Sequence, residues 1–337
     1  MTMRAVMAVA VVLSVACGKD HATTPTQPSA ATTTPGGTGT MSAVARNYLE
    51  QIVTIMQNNS IKRLTIDWTA FRTEVFDAGR DAQTIADTLP AIRVAIARIG
   101  DGHSSYRSVS GTVVFVANRS CAASGGPSSA GVPDSIGYVT VSAFSGTTAE
   151  ATAFANNVQA VIRAADRENL IGWIVDLRGN GGGNMWPMVA GLGPVLGDGL
   201  LGYFFSPTGV ETPWSYHDGA SWIGSSVAQR VDAPYRLRKE QPRVAVIVDN
   251  LVASSGEATY ISFRQRPETR SFGAATCGLS TSNSTFTLTD GATLTLTTTV
   301  MADRTRQAYG DRIAPDEIIS EREQILPRAM AWLQTGR

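Results

Sequence analysis

Three short segments hold residue types that can do chemistry. GWIVDLRGNGGGN, Gly172 to Asn184, runs from an apolar strand into a loop almost without side chains. Glycine runs of this kind let a backbone come close to a ligand. VIVDNLVASSGEATY leaves a second apolar strand at Asp249 and enters a helix near Ser254. Such a strand-to-helix turn can present a serine oxygen near the positive end of a helix dipole, although Ser254 and Ser255 would serve equally well as ordinary helix caps. RIGDGHSSYR places His103 in a loop of small residues. A lone loop histidine does chemistry only where the fold brings it to a nucleophile.

Phosphate chemistry fits these glycines poorly. A phosphate-binding loop needs Lys-Ser or Lys-Thr after its last glycine, and here Asn184-Met185 follows. A dinucleotide fingerprint starting at Gly179 wants a small residue where Asn184 stands, and its acidic partner, Asp198, falls in a Gly-rich turn. The other histidines offer less: His217 sits beside a turn, and His21 lies in a low-complexity stretch.

The elements around these segments follow from periodicity. Ser42–Ser60 places Val44, Tyr48, Ile52 and Ile55 at helical spacing, and DWTAFRTEVFDAGR repeats the pattern with Trp68, Phe71 and Phe76. LPAIRVAIARIG is a third helix with Gly100 as its stop. Beyond it strands and helices alternate. TVVFVA and IGYVTVSAF read as strands, and TAEATAFANNVQAVIRAADREN as an amphipathic helix opened near Thr147 or Thr148. IGWIVDL and RVAVIVD are nearly continuous apolar strands, as expected where helices cover both faces of a sheet. STFTLTDG and TLTLTTTVM form a hairpin through Asp290-Gly291, and EREQILPRAMAWLQ a terminal helix. The predicted class is α/β: a mixed or parallel sheet flanked by helices, behind a helical bundle.

Bulk composition narrows the setting. The chain has 337 residues, 43% hydrophobic and 17% charged, with zero formal net charge and pI near 6.8. A large core is therefore expected, and no basic stripe suggests a nucleic-acid partner. Residues 1–17 read as an export signal whose end, SVAC, resembles the lipobox of bacterial lipoproteins, with Ser14 where Leu is usual. Cys17 would then carry lipid and anchor the chain to a membrane. Residues 18–41 read as a flexible tether, 42–100 as the helical bundle and 101–337 as the α/β core. Cys121 and Cys277 can pair as a disulfide or stand as separate thiols. Trp186, Trp214 and Trp222 are candidates to line a cleft, although aromatic residues belong more often to a core.

Together the segments from His103 to Asp316 resemble the tail-specific, or C-terminal-processing, serine peptidase family. DLRGNGGGN is similar to its DLRxNxGG segment, NLVASSGEA to its nucleophile segment, and YGDRIAPDE to its xPD segment. The resemblance implies a Clp-protease/crotonase-like β-α spiral core. Aligning Glu257 with the family's glutamate puts the nucleophile at Ser254. The family's glycine loop helps to form an oxyanion hole, which implies Gly182 or Gly183 here, with the amide of Ser255 as second donor. No metal or organic cofactor is implied.

The sequence departs from that family in two ways. Many members use a downstream lysine as base, but Lys19, Lys62 and Lys239 all precede Ser254. DGHSS resembles the histidine segment of the related tricorn protease, so His103 becomes the expected base, with Ser104 as an orienting neighbour. The acidic third member falls by position near Gln307, with Asp303, Asp311 and Asp316 close in sequence. The short interval from Ser104 to Pro133 leaves no room for the family's PDZ module. The expected function is an envelope serine peptidase, facing the periplasm or the exterior, that cleaves a protein or peptide. The alternative is a non-catalytic binding lipoprotein, since the interphotoreceptor retinoid-binding protein resembles the same family and binds apolar ligands. Oligomeric state is left open.

Overall fold

The computed structural model describes residues 40–117, 119–121 and 126–336. The signal-like residues 1–17, Cys17 itself and nearly all of the expected tether lie outside them. Among the described residues no helix is long and apolar enough to cross a membrane.

Three helices come first: α1 (Ala43–Asn59), α2 (Trp68–Ala78) and α3 (Leu89–Ile99). Local chemistry sets their ends. The Ser42 side chain accepts from Ala45 N–H, Asp67 accepts from Thr69 and Ala70, and Gly100 closes α3 in the left-handed region at φ 57°. The buried face of α1 is Ala45, Tyr48, Leu49, Ile52, Val53 and Met56. Val44 is exposed, so the expected stripe was turned by about one residue: a run with apolar residues at adjacent positions fits two helical faces, and only the partner surface chooses.

Short strands β1 (Ser105–Arg107) and β2 (Val113–Phe115) follow, then β3 (Ile136–Thr140), α4 (Thr148–Ala165), β4 (Gly172–Asp176) and α5 (Met185–Leu196). An antiparallel meander comes next: β5 (Gly199–Phe205), β6 (Glu211–His217), β7 (Ala220–Ile223) and β8 (Ser226–Arg230). The sequence alone shows no clear strand pattern there. β6 contains Pro213 and no more than alternate burial, which blurs the two-residue period. The chain ends with β9 (Val244–Val248), α6 (Ser255–Ile261), β10 (Thr269–Gly273), β11 (Thr281–Thr287), β12 (Thr293–Asp303), β13 (Glu317–Ile318) and α7 (Arg322–Thr335).

Two sheets organise these elements. The parallel sheet has the order β13-β10-β9-β4-β3, so successive strands add at one edge in chain order. That winding is the β-α spiral expected above. Alternation divides its faces: Trp173, Val175, Val244, Val246 and Val248 join the core of α4, α5 and α6, while Ile174, Ala245, Ile247 and Phe272 pack under α7. Because β4 and β9 are parallel neighbours, their C-terminal ends lie side by side, and so do the loops that leave them. The glycine loop and the serine turn are those two loops.

The second sheet has eight strands in the order β2-β1-β12-β5-β6-β7-β8, with β11 on β12. Helices α1–α3 share one core with it, through Tyr106, Val114, Leu294 and Leu296. Tyr48 ties the two together, its hydroxyl bonded to Tyr106 (3.1 Å) and Asp290 (3.0 Å). Between His103 and β3 the described residues add only β1 and β2.

Cys121 and Cys277 form a disulfide with Cα atoms 5.3 Å apart, closing a loop 156 residues long in sequence. Cross-links over long loops restrict the unfolded chain strongly. Cys277→Ser is expected to lower stability by about 2–4 kcal/mol, read from the urea midpoint. Reductant should move the parent to the same midpoint and leave the variant unchanged.

Candidate active site

The serine turn is strained. Ser254 has φ 52° and ψ −118°, a region that residues with a side chain rarely adopt. Hydrogen bonds on both sides hold it there. Ala253 N–H donates to Asn180 O (3.0 Å), Gly256 N–H to Ala253 O (2.8 Å), and Ser254 N–H to Glu257 Oε2 (2.9 Å). Both serines line a cavity of about 270 Å³, but Ser255 Oγ is taken up by donation to Gly183 O (2.6 Å), which joins turn to loop.

Glu257 is the anchor. It is fully buried and accepts four hydrogen bonds: from Ser254 N–H and Leu279 N–H (2.7 Å) at Oε2, and from Thr276 Oγ (2.5 Å) and Gly278 N–H (2.9 Å) at Oε1. Burial pushes its pKa up to about 7, and the donors pull it down. In the sequence Glu257 marks only the register of the nucleophile segment. Its structural role follows from contacts across some twenty residues.

The glycine loop is shaped by close approach. Asp176 holds Arg178 through Nε (2.9 Å) and Nη2 (2.5 Å), both side chains being buried, and Asp249 Oδ1 accepts from Gly179 N–H (3.1 Å). Asn180 donates to Val141 O (3.0 Å) and accepts from Gly182 N–H (3.0 Å). A Cβ at Gly182 would meet Ala253 O at 2.7 Å and Ser254 Cβ at 2.9 Å; one at Gly183 would meet Phe144 O at 1.9 Å. Both glycines also have φ above 100°. Since Asn180 occupies the Gly182 amide, Gly183 is the one whose N–H has no acceptor among the described residues, and the same holds for Ser255 N–H at the start of α6.

His103 reaches this place from the far side of the chain. Its Nδ1 lies 2.8 Å from Thr281 Oγ1, and Thr281 lines the same cavity as Ser254. Asp101 fixes the loop beneath it, accepting from His103 N–H (2.9 Å), Ser104 N–H (2.7 Å) and Ser104 Oγ (2.6 Å). Asn283 Nδ2 donates to His103 O (3.2 Å). Desolvation lowers the imidazole pKa to about 4, against a smaller upward pull from Asp101.

The expected orienting residues lie elsewhere. Ser104 Oγ is taken up by Asp101 and Thr297, not by the ring. Gln307 is exposed and its side chain donates to Ala308 O. Asp316 pairs with Arg264 (2.8 Å) and accepts from Ser271. Asp303 holds the Thr305–Tyr309 turn, and Asp311 pairs with Arg119. The xPD segment therefore braces β10 rather than the histidine. Trp186 lines the cavity with Phe204, Ile223 and Met301, while Trp214 is wholly buried in the core; Trp222 and the exposed His217 are not part of the cavity wall.

A β-α spiral with a serine elbow and a glycine loop at the ends of adjacent strands is the architecture of the C-terminal-processing peptidases. The chain belongs to Peptidase family S41, which residues 135–319 match. It is 30% identical over 251 residues to the nisin-resistance protein of Lactococcus lactis subsp. lactis, an overlap of 74% of this chain and 76% of that protein. Its fold is similar to that of a lipoprotein from Streptococcus agalactiae, with TM-score 0.69 and 23% identity over 88% of this chain and 98% of that one. It is also similar to that of the photosystem II D1 C-terminal processing protease, with TM-score 0.52 and 14% identity over 83% and 94%. These two likenesses concern the fold.

Glu257→Ala would leave three amides and a hydroxyl without their acceptor, at about 1–3 kcal/mol each where water cannot reach. The variant should unfold at markedly lower urea. The folded pKa of Glu257 is raised from 4.5 to about 7, so its contribution is fully present below pH 4.5 and is lost as pH rises through 7. Stability measured from pH 4.5 to 8 should therefore contain a decline that Glu257→Gln lacks.

Proposed function

We propose that the protein is a serine peptidase of the cell envelope, with Ser254 as nucleophile and His103 as general base. Ser254 Oγ attacks the carbonyl carbon of a peptide bond while His103 Nε2 takes the hydroxyl proton. The amides of Gly183 and Ser255 receive the negative oxygen of the tetrahedral intermediate, each worth about 3 kcal/mol in comparable sites. His103 then returns the proton to the leaving amine, and water enters by the same path in reverse. Gly182 contributes by having no side chain where the turn passes.

The observation that carries this reading is the strained turn at Ser254, beside two amides without acceptors among the described residues, in a cavity also lined by Thr281, whose hydroxyl meets the His103 ring. Strain of this kind persists only where surrounding contacts enforce it, and it clusters at functional sites. Membership of a peptidase family supports the reaction class. The export-like N-terminus and the likeness to a streptococcal lipoprotein support the envelope location and the lipid anchor at Cys17. A peptide substrate agrees with the relative named for nisin resistance, and nisin is the first peptide to try.

A fluorophosphonate probe should label the protein, and Ser254→Ala should abolish the label. His103→Ala should slow it by about 10²- to 10⁴-fold, the usual contribution of a general base. A well-folded parent that takes no label, and leaves nisin and unstructured peptides intact by mass spectrometry, would make it a binding protein instead. The base must be neutral to act, and its pKa is lowered to about 4. kcat/KM should therefore hold level down to about pH 5 and fall as pH drops through about 4.

A further inference from the structure

We propose that Thr281 is the positioning residue for His103, in the place where a carboxylate would complete a triad. This rests on the reading of His103 as base. Among the described residues, Thr281 Oγ1 is the only side-chain atom hydrogen-bonded to the imidazole, at 2.8 Å from Nδ1. Asp101 holds the backbone and neighbouring hydroxyl of the histidine loop and leaves the ring alone.

A ring nitrogen bonded to a hydroxyl can be donor or acceptor, because the hydroxyl serves as either. For His103 to act as base, Nδ1 must carry the proton and donate it to Thr281 Oγ1. The lone pair then sits on Nε2, which has no partner among the described residues. Thr281 thus selects the tautomer and sets the ring plane, which is what the acidic member of a triad does apart from supplying charge. A hydroxyl adds no negative charge, which agrees with an imidazole that stays neutral far below pH 7.

The hydroxyl is itself well placed to position. Thr281 N–H donates to Leu279 O (2.7 Å), and Leu279 N–H donates to the same Glu257 oxygen that receives Ser254 N–H. Cys277, two residues before Leu279, is pinned by its disulfide and by donation to Val252 O (2.8 Å). Residues 276–281 therefore form one strap, anchored on Glu257 at one end and touching the imidazole at the other. Nucleophile and base are held by a common element rather than by two independent loops.

Fluorophosphonate labelling rates of the full chain test this. Thr281→Val keeps the shape and removes the hydroxyl, and should slow labelling about 10- to 100-fold, while Thr281→Ser should stay within about threefold of the parent. Nitrogen-15 spectra of the parent imidazole, read above pH 6, should show Nδ1 protonated, whether or not the valine variant folds. Equal rates for parent and Thr281→Val, failure of Thr281→Ser to restore the rate, or an Nε2-protonated ring in the parent would each overturn the assignment. A His103→Ala variant labelling at the parental rate sinks the base reading itself, which separates that failure from this one.

Discussion

A single buried carboxylate organises this molecule's cleft. Glu257 sits on the first turn of α6 with no exposure to solvent and with four donors around it. Burying such a group is unfavourable unless its hydrogen bonds are complete. Here they are complete only when two separate stretches converge: the serine turn, and residues 276–279 with the Thr276 hydroxyl and the Gly278 and Leu279 amides. The requirement runs in both directions. The carboxylate needs those donors, and the donors have no water to fall back on.

Strain at Ser254 is the counterpart of that anchoring. A side chain at φ 52° is unfavourable by about 1–3 kcal/mol, and the turn keeps it because its neighbours are bonded to fixed points. Asn180 holds Ala253 from the glycine loop, Glu257 holds Ser254 itself, and Ser255 reaches back to Gly183. The glycine loop can approach so closely because Gly182 and Gly183 carry no side chain. Its own path is set by Asp176, Arg178 and Asp249 at the ends of the two central strands. Turn and loop thus brace one another, and Gly183, Ser254 and Ser255 all line the cavity beside them.

The helices before the core are not an appendage. Their apolar face is completed by Tyr106, Leu294 and Leu296 from the antiparallel sheet. That packing sets the base of the loop carrying His103, which follows α3 directly and leads into β1. β12, paired with β1 and β11, then brings Thr281 to the histidine across 178 residues. The imidazole therefore depends on the bundle, the sheet and the strap together.

Much of this was legible in the chain alone, because it is written in local chemistry. Continuous apolar runs marked the central strands, glycine and capping residues marked the ends of α3 and α4, and the Gly-rich loop and the Ser-Ser-Gly-Glu turn announced themselves by composition. The position of Glu257 already singled out Ser254 in the chain, whereas Gly182 and Gly183 are chemically alike and are told apart only by the hydrogen bonds of the folded state. Neither the partner of His103 nor the Cys121–Cys277 bond has any signature in spacing. Those pairings join residues far apart in sequence, and distance along a chain says nothing about distance in space until strand order and register bring the two ends together. Gln307 shows the same limit from the other side: correct by position in the chain, it is exposed at a turn, and a threonine on a neighbouring strand stands where the ring needs a partner.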